Sequence, residues 1–150
     1  MNIQSESSLS QALQLFENCQ IAEAFDRINT ALVSDLDDRR LIYAVRCCKF
    51  WMEPFASIDA LSPFEQGEVL LNQWKQFGFI LSKAEEDCEK ITYSVKKGVF
   101  SRALQAYSRA NDEKDTKFRA EILRKTGLCY KKLGSYEIAL QYLTEANQCQ

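Results

Sequence analysis

Six cysteines, at positions 19, 47, 48, 88, 129 and 149, are the most reactive side-chain type in this 150-residue chain, and no histidine accompanies them. A thiol attacks only as a thiolate, which a neighbouring base or cation must favour. With no His, the Cys-His and Ser-His-Asp relays, His-containing zinc sites and haem attachment through CxxCH are all unavailable. The cysteines include no CxxC, and the only close pair is the adjacent Cys47 and Cys48. That pattern suits small buried apolar residues in a reducing compartment better than disulfides or a metal site. Cys88 is the nearest case of a lone nucleophile, but Glu85, Glu86, Asp87 and Glu89 surround it and would raise its pKa. No glycine-rich phosphate loop is present either. These residues predict a non-enzyme without cofactor or metal.

Side chains without a reaction centre must act by binding, so the elements that position them come next. Hydrophobic residues make up 46% and charged residues 27%, a balance that supports a packed core. Five Gly and two Pro leave few tight turns and favour helices over an all-β fold. The net charge of −2 does not suit a phosphate backbone, so nucleic acid is not an expected partner. No export signal or membrane-length apolar run is visible, which predicts a cytoplasmic protein without a membrane partner.

Periodicity and capping chemistry predict seven or eight helices. Ser8 with Gln11 reads as a capping box that opens a first helix near residue 9. A second runs over about 21–33. Asp35, Asp37 and Asp38 mark the start of a third, which Pro54 should end. Ser62-Pro63-Phe64-Glu65 is a further capping box, and Ser82 with Glu85 a weaker one, so 63–97 reads as either one helix or two. A break is expected at Gly98, then a helix over about 100–111, a polar loop at 111–116, and two helices at about 117–132 and 136–148. Gly134 should make the last turn, with Ser135 as a cap.

Residues Gly127, Tyr130, Leu133, Gly134, Tyr136, Ala139, Leu143 and Ala146 form a pattern that resembles the tetratricopeptide repeat. Small residues at 127 and 139 would let two helices approach, with Tyr130 and Tyr136 filling the space beside them. Leu123 and Thr126 stand where that family prefers Trp and Leu. A second echo is Gly98, Phe100, Ala103, Tyr107 and Ala110, although Ile91 and Ser94 match its first helix poorly. A third is Ala12, Leu15, Ile21, Ala24, Ile28 and Ala31, with Cys19 in the place of Gly. The resemblance, clearest at 117–148 and weaker at 84–111 and 5–34, implies an all-α fold. Its antiparallel hairpins, at about 8–34, 38–81 (divergent), 84–111 and 117–148, would stack as a short right-handed superhelix in one domain.

The same resemblance implies a scaffold that binds a peptide or partner protein on its concave face. The groove would hold Glu85, Cys88, Glu89 and Thr92 from one hairpin and Glu121, Arg124, Lys125, Leu128 and Lys131 from the next, running from acidic to basic. Leu9 and Leu13 stand where some members use polar groups to grip a chaperone's terminal carboxylate, which argues against that ligand. The aromatics Phe50, Trp51, Phe55, Phe64, Trp74, Phe77 and Phe79 read as core, with Phe55 and Phe79 as alternatives for a partner patch. Helical repeats need a cover on their last hairpin, and none follows residue 148. The chain is therefore expected to be the N-terminal part of a longer repeat protein or to self-associate through that hairpin, and the alternative to a binding module is a structural or oligomerisation segment of a larger repeat protein.

Overall fold

The computed structural model describes residues 3–110 and 116–149. Among the described residues it is all-α, with seven helices: α1 Ile3–Glu17, α2 Ile21–Ser34, α3 Arg39–Ser57, α4 Pro63–Leu81, α5 Glu89–Arg109, α6 Thr116–Lys132 and α7 Tyr136–Gln148. Short 3-10 turns at Ile58–Ala60 and Glu86–Cys88 join α3 to α4 and α4 to α5. The expected loop at 111–116 falls almost wholly outside the described residues, and Thr116 already opens α6. The closest pairs are α6 with α7, α1 with α2, and α4 with α5. Helix α3 packs along α2 more closely than along α4, so 38–81 is not a tight hairpin of its own. Helices α1 and α6 both pack on α5, which places α5 in the middle.

Two of the expected caps form. Asp38 accepts hydrogen bonds from the Arg40 and Leu41 amides at the start of α3. Ser62 and Glu65 close a reciprocal box at the start of α4, with Pro63 in the first turn. Both satisfy amides that the helix itself leaves unpaired.

Four helix boundaries differ from expectation. Helix α1 starts at Ile3, so Ser8 lies inside it. Burial of Ser5, Leu9, Ala12 and Phe16 and an Arg40–Glu6 ion pair at 2.6 Å hold the extra turns. Pro54 lies within α3 rather than ending it. Phe55, edge-on to the buried Trp51 at 6.0 Å, and the buried Ile58 carry the core beyond the proline. Ser82 closes α4 instead of opening a helix, its hydroxyl donating to the Phe79 carbonyl at 2.6 Å, so 63–97 is two helices.

The fourth difference changes the architecture. Helix α5 runs unbroken through Gly98. A Cβ on Gly98 would stand 2.5 Å from the Phe16 carbonyl oxygen. The glycine therefore serves a close approach of α1 to α5, not a turn. Among the described residues of 84–111, α5 is one long helix, Glu89–Arg109, paired with α4, in place of the expected hairpin.

The 127–146 pattern does form its hairpin. A Cβ on Gly127 would meet Leu143 Cγ at 2.9 Å and the Ala139 carbonyl oxygen at 3.2 Å, so the small residue sets the helix spacing. Gly134 takes φ +87°. Ser135 occupies the cap position but its side chain makes no capping hydrogen bond. Tyr136 does not fill the hairpin; it is 68% exposed, and Tyr142 stacks on Tyr130 instead, with ring centroids 5.4 Å apart.

The α1–α2 hairpin repeats this unit. Ala12, Cys19, Ala24, Ile28 and Ala31 precede Gly127, Gly134, Ala139, Leu143 and Ala146 by a constant 115 residues (127 − 12). Cys19 adopts φ +65°, the left-handed conformation that Gly134 adopts. The Gln20 and Cys19 amides donate to the Leu15 and Phe16 carbonyls at 2.8 and 2.9 Å. The Ser135 and Gly134 amides donate to the Tyr130 and Lys131 carbonyls at 2.9 and 3.0 Å. Both turns are thus the same helix-ending motif, in which a left-handed residue turns two amides back onto the last carbonyls. Two equivalent hairpins flank α5, and α3 and α4 complete the body.

Candidate functional site

The residues expected to share one groove separate into three places. Glu85 pairs with Arg39 of α3 at 3.2 Å, with both side chains mostly exposed. Glu89 lines a cleft between α1 and α5. The Thr92 hydroxyl turns back to the Glu89 carbonyl at 2.9 Å, so its own helix uses it. On α6, Glu121 accepts from Arg124 at 2.5 Å, and Lys125 lies 3.8 Å from both Glu121 and Glu68 of α4. Leu128 packs against the core and Lys131 is exposed. Glu89, at the start of the continuous α5, faces the cleft with α1, whereas Lys125 lies beside Glu68 of α4.

The α6 charges belong to a structural lock. Tyr107, fully buried, donates its hydroxyl to Glu68 at 2.6 Å. Burial first, then the Glu68 carboxylate, pushes the Tyr107 pKa far above that of a free phenol. Gly67 leaves room for that ring, since a Cβ there would lie 2.5 Å from it. Arg102 is tied in a similar way between Gln66 (2.9 Å) and Asp59 (3.5 Å).

Six of the seven aromatics expected as core are core, and Phe79 is not. Trp51 and Phe77 are fully buried with rings 5.4 Å apart, Phe50, Phe55 and Trp74 pack around them, and Phe64 packs against Tyr107 and Phe118. Phe79 is 71% exposed, with the Lys83 ammonium 5.4 Å above its ring.

An open face runs across α5 between α1 and α6, and Tyr93, 63% exposed, lines the clefts on both sides. On one side a cleft of about 460 Å³ is bounded by Ser10, Leu13, Gln14 and Glu17 of α1 and by Glu89, Lys90, Tyr93 and Ser94 of α5. On the other a cleft of about 250 Å³ is bounded by Tyr93, Lys96, Lys97 and Ser101 and by Lys132 and Leu133 at the end of α6. The second lining carries three lysines and no acid. Glu17 fixes the seam: it accepts from Ser94 Oγ at 2.8 Å and pairs with Lys97 Nζ at 3.1 Å. That carboxylate raises the Lys97 pKa, so the ammonium stays charged.

No protein-family model, curated protein or solved structure matches this chain. Its function must be read from its own geometry. Tyr93, the centre of the open face, carries no sequence signal beyond an aromatic off the buried stripe of α5. Only the tertiary contact of α1 with α5 turns it into a junction between clefts.

Thiol chemistry has little support here. Cys88 is buried, and burial leads the rise in its pKa; a hydrogen bond with the Glu85 backbone partly offsets it, and the Asp87 and Glu85 carboxylates add to it. Burial likewise pushes Cys47, Cys48 and Cys129 up to about 12, and at Cys129 the Lys125 ammonium only partly offsets it. At pH 8 a limiting maleimide should therefore label the half-buried Cys149 and Cys19 first. Cys47, Cys48, Cys88 and Cys129 should react only as the protein unfolds. Peptide mass spectrometry reads the order, and Cys88 reacting ahead of the others would reopen a catalytic reading. Among the described residues, no three His, Cys, Asp or Glu side chains gather as a metal-binding group, and no helix is long and apolar enough to cross a membrane.

Proposed function

We propose that this chain is a non-catalytic interaction module of tetratricopeptide-like hairpins, and that the α1–α5–α6 face binds a segment of a partner protein. One observation carries the reading: Tyr93, an exposed aromatic on a rigid helix, stands between two adjoining clefts. Aromatic anchors flanked by pockets are the usual centres of binding energy. The lysine lining of the second cleft favours a segment that carries carboxylates. The repeated hairpin supports the family kinship, and six free thiols favour a cytoplasmic setting.

The test compares binding of a captured partner by the wild type, Tyr93→Ala and Phe79→Ala. Both positions are exposed, so neither change should shift stability by more than about 0.5 kcal/mol. Tyr93→Ala should weaken binding by tenfold or more, as expected for loss of an anchor worth roughly 2 kcal/mol. Phe79→Ala, outside the face, should leave it unchanged. Equal binding by wild type and Tyr93→Ala would sink the proposal.

A further inference from the structure

A pocket of about 330 Å³ lies between α3 and the connector from α4 to α5, and it shares no lining residue with the clefts beside Tyr93. Arg39, Tyr43 and Arg46 of α3 line one side, and Lys83, Glu85 and Cys88 line the other. The spacing i, i+4, i+7 puts the three α3 residues on one face of that helix. The Arg39–Glu85 ion pair bridges the two sides at 3.2 Å, and the Phe79 ring sits 5.4 Å from the Lys83 ammonium. The lining thus holds three cations and one carboxylate, a net charge of +2 (3 − 1), in a chain whose net charge is −2. Among the described residues, Arg46 and Lys83 make no ion pair. Tyr43 is 5% exposed, and no nitrogen or oxygen accepts from its buried hydroxyl. The Cys47 and Cys88 thiols beside it are weak acceptors. A buried hydroxyl without a good acceptor is costly, and a ligand oxygen would supply one.

We infer that this pocket binds a phosphate monoester group, held by Arg39, Arg46 and Lys83, with the Tyr43 hydroxyl donating to one of its oxygens. The charge fits: a monoester carries about −1.5 to −2 at pH 7, close to the opposite of the lining. A single carboxylate would leave half of that charge unanswered. A guanidinium fork engages two oxygens at once, and a phosphate presents three, enough for two arginines and a lysine. Glu85 sets the upper limit. It holds the lining at +2, so the larger charge of a polyphosphate would meet a carboxylate in place of a further cation. The volume lies near the lower end for small-molecule sites, which suits the phosphate with a small body attached. A free monoester and a phosphorylated side chain of a partner protein offer the same group. This inference is independent of the Tyr93 face.

The test titrates the ¹⁵N-labelled full chain, at constant ionic strength, with free phosphoserine, with serine, and with a short peptide in its phosphoserine and serine forms. Phosphoserine should shift the amide signals of residues 39–46 and 83–88 saturably, and serine should not. Arg46→Ala, an exposed position, should weaken binding at least fivefold with the circular dichroism spectrum unchanged. Tyr43→Phe removes the hydroxyl alone and should weaken binding about threefold without lowering the melting temperature. Glu85→Gln should tighten it, because a repelling carboxylate is gone. Tighter binding of the phosphorylated peptide than of phosphoserine would assign the group to a partner protein, and equal or weaker binding would assign it to a free monoester; either supports the pocket. Three results would overturn the inference: no saturable shift, shifts centred on Lys96, Lys97 and Lys132, or binding indifferent to both Arg46→Ala and Tyr43→Phe. A failure at Tyr93 would leave these outcomes untouched.

Discussion

Gly98→Ala should destabilise the protein by about 2–3 kcal/mol, the upper end of what an added methyl costs in a packed core. The sign is the informative part. Inside a helix, alanine is ordinarily better than glycine by about 0.5–1 kcal/mol. Here the new Cβ would lie 2.5 Å from the Phe16 carbonyl oxygen. An ordinary C···O contact needs about 3.3 Å or more. Phe16 O is backbone, so no rotamer relieves the contact and the end of α1 must retreat. That retreat strains the Ser94–Glu17 hydrogen bond and the Lys97–Glu17 ion pair, which close the seam of the candidate face. Gly78 is the control: it lies in α4 with nothing within 4 Å of an added Cβ, so Gly78→Ala should stabilise by about 0.5–1 kcal/mol. Urea denaturation of the two variants reads both signs. A neutral or stabilising Gly98→Ala would contradict the α1–α5 contact.

Raising the pH from 7.5 to 10 should remove about 4 kcal/mol of stability. Cys47, Cys48 and Cys129 carry the effect. Each ionises near 9 when exposed and near 12 in the fold, because burial disfavours the thiolate. Between those values the unfolded chain has lost a proton that the native state still holds. Stability is therefore complete below about pH 9 and falls as the pH rises towards 12. At pH 10 each thiol accounts for about 1.4 kcal/mol. Tyr43 and Tyr107, whose pKa values burial also raises, extend the fall at higher pH. Chemical denaturation under reducing conditions at pH 7.5, 9 and 10 measures the slope. Cys48→Ala should lower stability at pH 7.5 and flatten the alkaline limb. An unchanged slope in that variant would show that its thiol ionises alike in both states.

The sequence disclosed local structure well and tertiary structure poorly, for physical reasons visible in single residues. Asp38 and Ser62 cap their helices as their types suggest, because a capping bond spans only three residues. Gly127 and Gly134 act as their spacing implies, because both belong to one hairpin. Gly98 misled because a glycine in a helix can mark a turn or a close approach, and only the position of α1 decides which. Pro54 misled because core packing beyond it outweighed a local preference. A shared groove for Glu89 and Lys125 requires a hairpin at 84–111. With Glu89–Arg109 one continuous helix, Glu89 lines the α1–α5 cleft while Lys125 lies beside Glu68 of α4, and the open face centres on Tyr93. Cys19 shows the opposite case: a cysteine in a left-handed turn hides a repeat that its backbone hydrogen bonds make plain.

The candidate face exists only if α5 continues through Gly98 and holds Tyr93 between α1 and α6. Amide hydrogen exchange across residues 95–102, read by NMR, tests this most directly. Gly98, Val99 and Phe100 are buried in the middle of α5, so their amides should exchange only through opening close to global unfolding. Exchange of these three amides at rates near those of an open turn, while α4 and the rest of α5 stay protected, would mean that the chain breaks at Gly98 and that the Tyr93 face does not form.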